Sequence, residues 1–203
     1  MIAVIDYKAG NLTSVVKALR FLEARDVVVT QAPEDVRRAD KVVLPGVGHF
    51  QSTQLLKDLG LTEAVREAVG RDVPFLGICV GLQWLYEGST EAPETEGLGV
   101  FEGMCERFPA VVEGVELKSP HVGWNSLEQI RPDSRLLKGV KDGGFVYFTH
   151  SWRAPVSDDT AAVTNYGGGF TAAVERGNVM GVQFHPEKSA EVGLRVLRNF
   201  VEL

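Results

Sequence analysis

The sequence predicts an α/β fold: an open, mainly parallel sheet with helices on both faces, and antiparallel additions in the C-terminal half. Three observations carry this. Short apolar runs alternate with amphipathic stretches through the first half. One run, Pro74-Phe75-Leu76-Gly77-Ile78-Cys79-Val80-Gly81-Leu82-Gln83, sets a cysteine between glycines at a strand-to-helix corner. The second half turns to β-type segments joined by Gly-rich turns.

The elements follow in order. Ile2 to Ile5 is a short apolar strand. Asn11 is placed to cap a helix whose apolar positions are Val15, Val16, Leu19 and Leu22. Val27 to Val29 is the next strand, and Lys41 to Leu44 another, closed by Pro45-Gly46. Leu55 to Val69 has helical spacing, broken near Gly60. Phe75 to Ile78 leads into the cysteine corner. The segment Gly88 to Gly97, rich in Glu, Thr and Pro, reads as a mobile loop. Val100 to Phe108, Gly144 to Thr149, Ala161 to Asn165, Phe170 to Glu175 and Val179 to Phe184 read as β segments. Gly167-Gly168-Gly169 and Arg176-Gly177-Asn178 read as hairpin connections. Ser189 to Leu203 closes the chain as an amphipathic helix. No repeat or linker divides the chain, so residues 1–203 are expected to form one domain.

Composition narrows the class. The chain has 203 residues, 44% hydrophobic and 24% charged, which suits a soluble globular protein with a full core. A net charge of −6 leaves no basic footprint for nucleic acid. No apolar run is long enough for a membrane span, and the opening strand lacks a signal-peptide layout. Two cysteines, Cys79 and Cys105, do not suggest a disulfide framework, so the expected compartment is a reducing cytoplasm. No Cys/His cluster has metal-ligand spacing, and no phosphate loop or dinucleotide fingerprint is present, so no cofactor is expected.

The cysteine corner carries the chemistry. Small residues two before and two after the nucleophile let the backbone turn without a Cβ clash. The helix start offers free N–H groups and the positive end of a dipole, which favour the thiolate. Cys105 has no such corner and reads as structural. A thiolate nucleophile needs a base, and the base an orienting group. Of four histidines, His185 is best placed, after a buried-strand pattern and opening His185-Pro186-Glu187. In an extended segment Glu187 points to the same side as His185 and reaches its ring. Oxyanion donors are expected from the N–H of Val80 and from Pro45-Gly46-Val47-Gly48. His150, at a strand end, reads as a substrate contact or a cap. His49 reads as a surface residue. His121, in a polar and aromatic run through Asn125, reads as part of a contact surface.

These motifs resemble the class I glutamine amidotransferases. Ile5-Asp6-Tyr7-Lys8-Ala9-Gly10-Asn11, Leu44-Pro45-Gly46-Val47-Gly48, Pro120-His121-Val122-Gly123-Trp124-Asn125 and Gly181 to Ser189 narrow the resemblance to the glutaminase subunits of imidazole glycerol phosphate synthases. The resemblance implies Cys79 as nucleophile, His185 as base and acid, and Glu187 as orienting carboxylate. It implies Val80, Gly46 and Val47 at the oxyanion. Glutamine contacts would come from Gly48, Gln83, His150, Ser151 and Trp152. It implies a (βα)8-barrel cyclase as heterodimer partner, faced by Tyr7, Gly10, Asn11, Pro120, Trp124 and Asn125. Lys8-Ala9 replaces a smaller Gly-Met-type pair of the family, and Trp152 stands where a tyrosine is frequent. Alternatives are a glutaminase serving anthranilate, guanylate or pyridoxal phosphate synthesis, a stand-alone cysteine hydrolase, or a binding module with an inactive site.

Overall fold

The computed structural model describes residues 1–8 and 12–203. The Gly10 and Asn11 positions, and the helix cap expected at Asn11, lie outside the described residues. In the first half, β1 (Ile2–Ile5), α1 (Leu12–Phe21), β2 (Val27–Thr30), α2 (Pro33–Arg38) and β3 (Lys41–Gly46) follow one another. A 3-10 turn, Phe50–Thr53, then leads into α3 (Gln54–Asp58), α4 (Leu61–Gly70), β4 (Phe75–Cys79) and the single turn α5 (Val80–Gln83). Gly60 breaks the helical run between α3 and α4 at φ 71°. Short strands β5 (Gly88–Ser89), β6 (Met104–Arg107), β7 (Val111–Val112) and β8 (Val115–Glu116) come next. The chain then forms β9 (His121–Ser126), β10 (Phe145–His150), β11 (Trp152–Arg153), β12 (Thr160–Asn165), β13 (Gly169–Arg176) and β14 (Val179–Val182). It ends in α6 (Ala190–Val201).

Among the described residues the central sheet has seven strands in the order β12-β13-β14-β4-β3-β1-β2. Pairings from β2 through β14 are parallel, and β12/β13 and β13/β14 are antiparallel hairpins at the two expected glycine turns. β1, β4 and β14 are buried at every position, which is why they read as continuous apolar runs. Buried side chains from Ile2 to Phe200 form one apolar cluster. The hairpin β9/β10 stands outside the main sheet.

Four expectations need correction. β3 runs on through Pro45-Gly46, because β4 continues beside it to the pair Gly46↔Cys79. The register with β1 ends at Val43, so the N–H missing from Pro45 is not needed there. Val100 to Phe108 holds only β6, since Gly103 at φ 98° separates it from the preceding bends. The segment from Gly88 to Gly97 is a packed turn, with Ser89 and Thr95 buried and Gly97 bonded back to Glu87. His121 to Asn125 is a strand, with its alternate side chains split between core and solvent.

Candidate active site

Cys79 ends β4 and precedes α5, with φ 56° and ψ −108°. A non-glycine residue at positive φ is strained and persists only where its surroundings hold it. The flanking glycines explain how it is held. A Cβ on Gly77 would overlap the carbonyl of Gly81, and one on Gly81 would overlap the carbonyl oxygen of Leu44. α5 is a single turn, so its dipole contribution is smaller than a long helix would give.

Because β14 runs beside β4, with Val182 opposite Ile78, the chain leaving β14 passes next to the corner. That chain is Gln183-Phe184-His185. His185 Nδ1 lies 3.0 Å from Glu187 Oε1, and their side chains are 2% and 1% exposed. The expected contact is present, but the backbone reason differs. Pro186–Lys188 is a 3-10 turn rather than an extended segment, and it folds the carboxylate back onto the ring. The backbone is pinned by His185 N–H donating to the Tyr147 carbonyl and by the Ser189 hydroxyl donating to the His185 carbonyl.

The electrostatics follow from these neighbours. Burial resists charge on His185, while the Cys79 thiolate and the Glu187 carboxylate favour it; the result is a ring pushed up to about 9. Its Nε2 is buried and has no partner within hydrogen-bond distance and angle among the described residues, while the Cys79 sulfur beside the ring favours its charged form.

On the other side of Cys79, register places Gly46 directly across. Tyr7 corrects an expectation here. It is 1% exposed, and a Cβ on Gly46 would run into its hydroxyl. Its side chain therefore packs under the Gly46 turn and presents no surface to a partner. Burial, then the charge on Cys79, raise its phenol above the ordinary range.

Cys79 opens into a cleft of about 240 Å³. Gly48, Gln83, His150, Ser151 and Trp152 all line it, as do Val47 and Val80. Gln83 donates from its amide nitrogen to the Trp152 carbonyl at 3.0 Å and to Gln183 Oε1 at 3.2 Å. With both N–H groups engaged, that amide can meet a ligand only as an acceptor. His150 is 6% exposed and bonded at both nitrogens, to the Trp152 carbonyl at 2.8 Å and to His121 at 3.2 Å. It shapes the wall more than it faces the space.

Sequence reasoning missed Glu91, Thr149 and Gln183. Glu91 lines the cleft, accepts from the Phe50 N–H at 2.8 Å, and is 10% exposed at its side chain. Its only sequence signal was an acidic stretch read as a loop. Gln183 lies in the strand pattern before His185 and looked like one more strand position. A larger groove of about 320 Å³ lined by Lys57, Arg66 and Glu94 contains neither cysteine nor histidine. Cys105 is buried, and burial raises its thiol above the ordinary range. His49 is exposed and accepts from the Gln51 N–H, a turn cap. Among the described residues no group of three His, Cys, Asp or Glu could hold a metal, and no helix is long and apolar enough to cross a membrane.

One outer face adjoins the cleft. Val122, Trp124 and Phe145 are 57%, 52% and 58% exposed on the β9/β10 hairpin. Trp124 sits opposite Tyr147, whose ring carries the Lys188 ammonium 5.8 Å from its centre. Pro120, exposed, lies where this hairpin meets the cleft rim.

Comparison with known proteins agrees with this architecture. The family described as glutamine amidotransferase class-I matches residues 3–203. The chain is 45% identical over 210 aligned residues to "Imidazole glycerol phosphate synthase subunit HisH 1" of Methanococcus maripaludis, covering 100% of both chains. It is 44% identical over 208 residues to the Arabidopsis thaliana "Imidazole glycerol phosphate synthase hisHF, chloroplastic", covering 99% of this chain and 34% of that one. A solved structure titled "Crystal structure of glutamine amidotransferase" superposes with a TM-score of 0.75 at 20% identity, covering both chains fully, and so shares the fold. The chain belongs to the class I glutamine amidotransferase family and, within it, to the HisH subunits of imidazole glycerol phosphate synthases.

Proposed function

We propose that the chain hydrolyses L-glutamine through Cys79, His185 and Glu187 and passes the ammonia to a (βα)8-barrel cyclase subunit in a heterodimer. The cyclase would use it to make imidazole glycerol phosphate and the aminoimidazole carboxamide ribonucleotide of L-histidine biosynthesis, in the cytoplasm. The observation that carries the reading is the buried His185–Glu187 pair beside a cysteine held at positive φ in the cleft wall.

The chemistry runs in two steps. The Cys79 thiolate attacks the side-chain carboxamide carbon of glutamine. The imidazolium of His185, favoured by a ring pushed up to about 9, gives its proton to the departing nitrogen. Ammonia leaves and a γ-glutamyl thioester remains. His185, now neutral, takes a proton from water, whose oxygen attacks the thioester carbon and releases glutamate and the thiolate. Glu187 holds the ring through Nδ1 throughout. The N–H of Val80, first in α5, and the Gly46-Val47 peptide beside Cys79 are the candidates to receive the oxyanion. Gly48, Gln83, Ser151 and Trp152 would contact glutamine, with His150 fixing the Trp152 carbonyl behind them. Glu91 supplies a carboxylate suited to an amino acid's ammonium group.

The cyclase reading is supported by kinship with HisH subunits, one matched as a segment of a longer hisHF chain. It is supported also by Val122, Trp124 and Phe145, three exposed apolar side chains on one face of the hairpin. Pro120 and Trp124 are exposed there and Asn125 is half-buried, so this hairpin is the proposed docking side. The test is the rate of glutamine hydrolysis alone and with the barrel cyclase. Stimulation by the cyclase and co-elution of the two chains are expected. Full activity alone with no binding would instead favour a stand-alone hydrolase.

A further inference from the structure

Gln183 is fully buried just after β14, and its Nε2 donates to Cys79 Sγ at 3.6 Å. The direction of that amide is determined by its neighbours. Its Oε1 accepts from Gln83 Nε2 at 3.2 Å, so the nitrogen end, not the oxygen end, meets the sulfur. Gln83 is fixed in turn, because the same nitrogen donates to the Trp152 carbonyl at 3.0 Å. That carbonyl also accepts from His150 Nδ1 at 2.8 Å, which makes Nδ1 the protonated nitrogen of a neutral ring. His150 Nε2 is then an acceptor for His121 Nδ1 at 3.2 Å, and His121 Nε2 an acceptor for Asn125 Nδ2 at 3.4 Å. The Trp152 carbonyl thus accepts from His150 on one side and from Gln83 on the other, and from Gln83 the donors run through Gln183 to the sulfur.

We propose that Gln183 is a positioning residue for the nucleophile: its N–H donates to the Cys79 thiolate, stabilising the anion and holding Sγ toward the cleft. A hydrogen bond to a charged acceptor is stronger than one to a neutral group, so the contact favours thiolate over thiol. It acts from the β14 side. Among the described residues, the other titratable groups around the sulfur are His185 and Glu187 from the following turn, Tyr7 from the segment after β1, and Glu91 and His150 lining the same cleft. None of these is an uncharged donor in hydrogen-bond contact with the sulfur, and Gln183 is. If it served only to fill the core, its bond with Gln83 would account for it and the sulfur would not respond to its removal.

The inference rests on Cys79 being the nucleophile but not on glutamine being the substrate. The experiment is the pH profile of Cys79 alkylation by iodoacetamide in the full chain, read on the Cys79 peptide by mass spectrometry. Two variants are compared with the parent: Gln183→Met, which keeps the length and removes the donor, and Gln183→Glu, which keeps the shape and puts a carboxylate beside the sulfur. Removing the donor should move the midpoint up by about one pH unit. Gln183→Glu should move it up at least as far. Should Gln183→Met fail to fold, judged by near-ultraviolet circular dichroism, the smaller apolar Gln183→Leu carries the test. A folded Gln183→Met or Gln183→Leu protein with an unmoved midpoint overturns the proposal. A shifted midpoint in a chain that fails to hydrolyse glutamine would leave it standing and remove the substrate assignment instead.

Discussion

His185 and His150 are both buried, 2% and 6% exposed, yet they are driven in opposite directions. His185 has the Glu187 carboxylate at 3.0 Å and the Cys79 thiolate beside it, and is pushed up to about 9. Burial pushes His150 down to about 3 and its partner His121 down to about 4. Their neighbours are aromatic: Phe108, Phe148, Tyr166 and Phe170 surround the pair, with His121 stacked 4.0 Å from the Tyr166 ring centre. Burial alone therefore does not decide a histidine's charge; the presence of an anion does. One pair favours a bound proton, while the other stays neutral beside the cleft wall.

The largest expected effects lie on the charged pair. His185→Ala should lower glutamine hydrolysis by at least about 10⁴-fold, as loss of a base does in other nucleophile–base sites. Steady-state rates with the cyclase present measure it, and a loss under tenfold would remove His185 from the chemistry. Glu187→Ala should be roughly ten- to hundred-fold milder, because an orienting carboxylate matters less than the base it orients. Equal losses would mean that the two roles are not separable as described.

Next comes pH. With His185 raised to about 9, the imidazolium proposed to protonate the leaving nitrogen persists through neutral pH, and acylation should fall only as pH rises through that value. In Glu187→Gln the fall should begin at lower pH. The same shift carries a stability contribution that is fully present below the ordinary histidine value of 6.5 and lost as pH rises through about 9. The His121–His150 pair has the opposite sign. Its contribution is present above 6.5 and lost as pH falls toward 4 and 3. Imidazole proton NMR would show His185 charged and the other two neutral at pH 7; a His150 that titrates near 6.5 breaks the comparison.

The smallest effect is expected from His121→Phe. Its ring is stacked in the aromatic cluster, so the replacement keeps the packing and loses the bonds to His150 and Asn125. KM for glutamine should rise a few-fold through a looser Trp152 wall, with kcat nearly unchanged. A kcat loss comparable to that of Glu187→Ala would mean that this pair also moves protons.

The parts of the fold that were readable in the sequence are those where packing imposes an unbroken pattern. β1, β4 and β14 are buried on both faces and so appear as apolar runs. The cysteine corner was readable because Gly77 and Gly81 are the residues that its backbone approaches require. The nearness of His185 and Glu187 was readable from their spacing, although the turn that joins them is not the extended segment expected. What was not readable depends on long-range contact. α2 has only six residues, too few to show a period, and β9 alternates buried polar His121 with exposed Trp124, reversing the usual strand pattern. Tyr7 was expected at the partner-facing surface because nothing local shows that Gly46 leaves room for its hydroxyl. Gln183 reaches Cys79 across 104 residues of chain and Glu91 reaches Phe50 across 41, and such contacts leave no local mark.

The central claim is that Cys79 releases ammonia which a second subunit consumes. Its most direct test is turnover by the complex of Cys79→Ala with the barrel cyclase, supplied in turn with glutamine and with an ammonium salt. The account predicts that glutamine-dependent turnover disappears while ammonium-dependent turnover is retained. Persistent glutamine use, or loss of both activities in a correctly assembled complex, would contradict it.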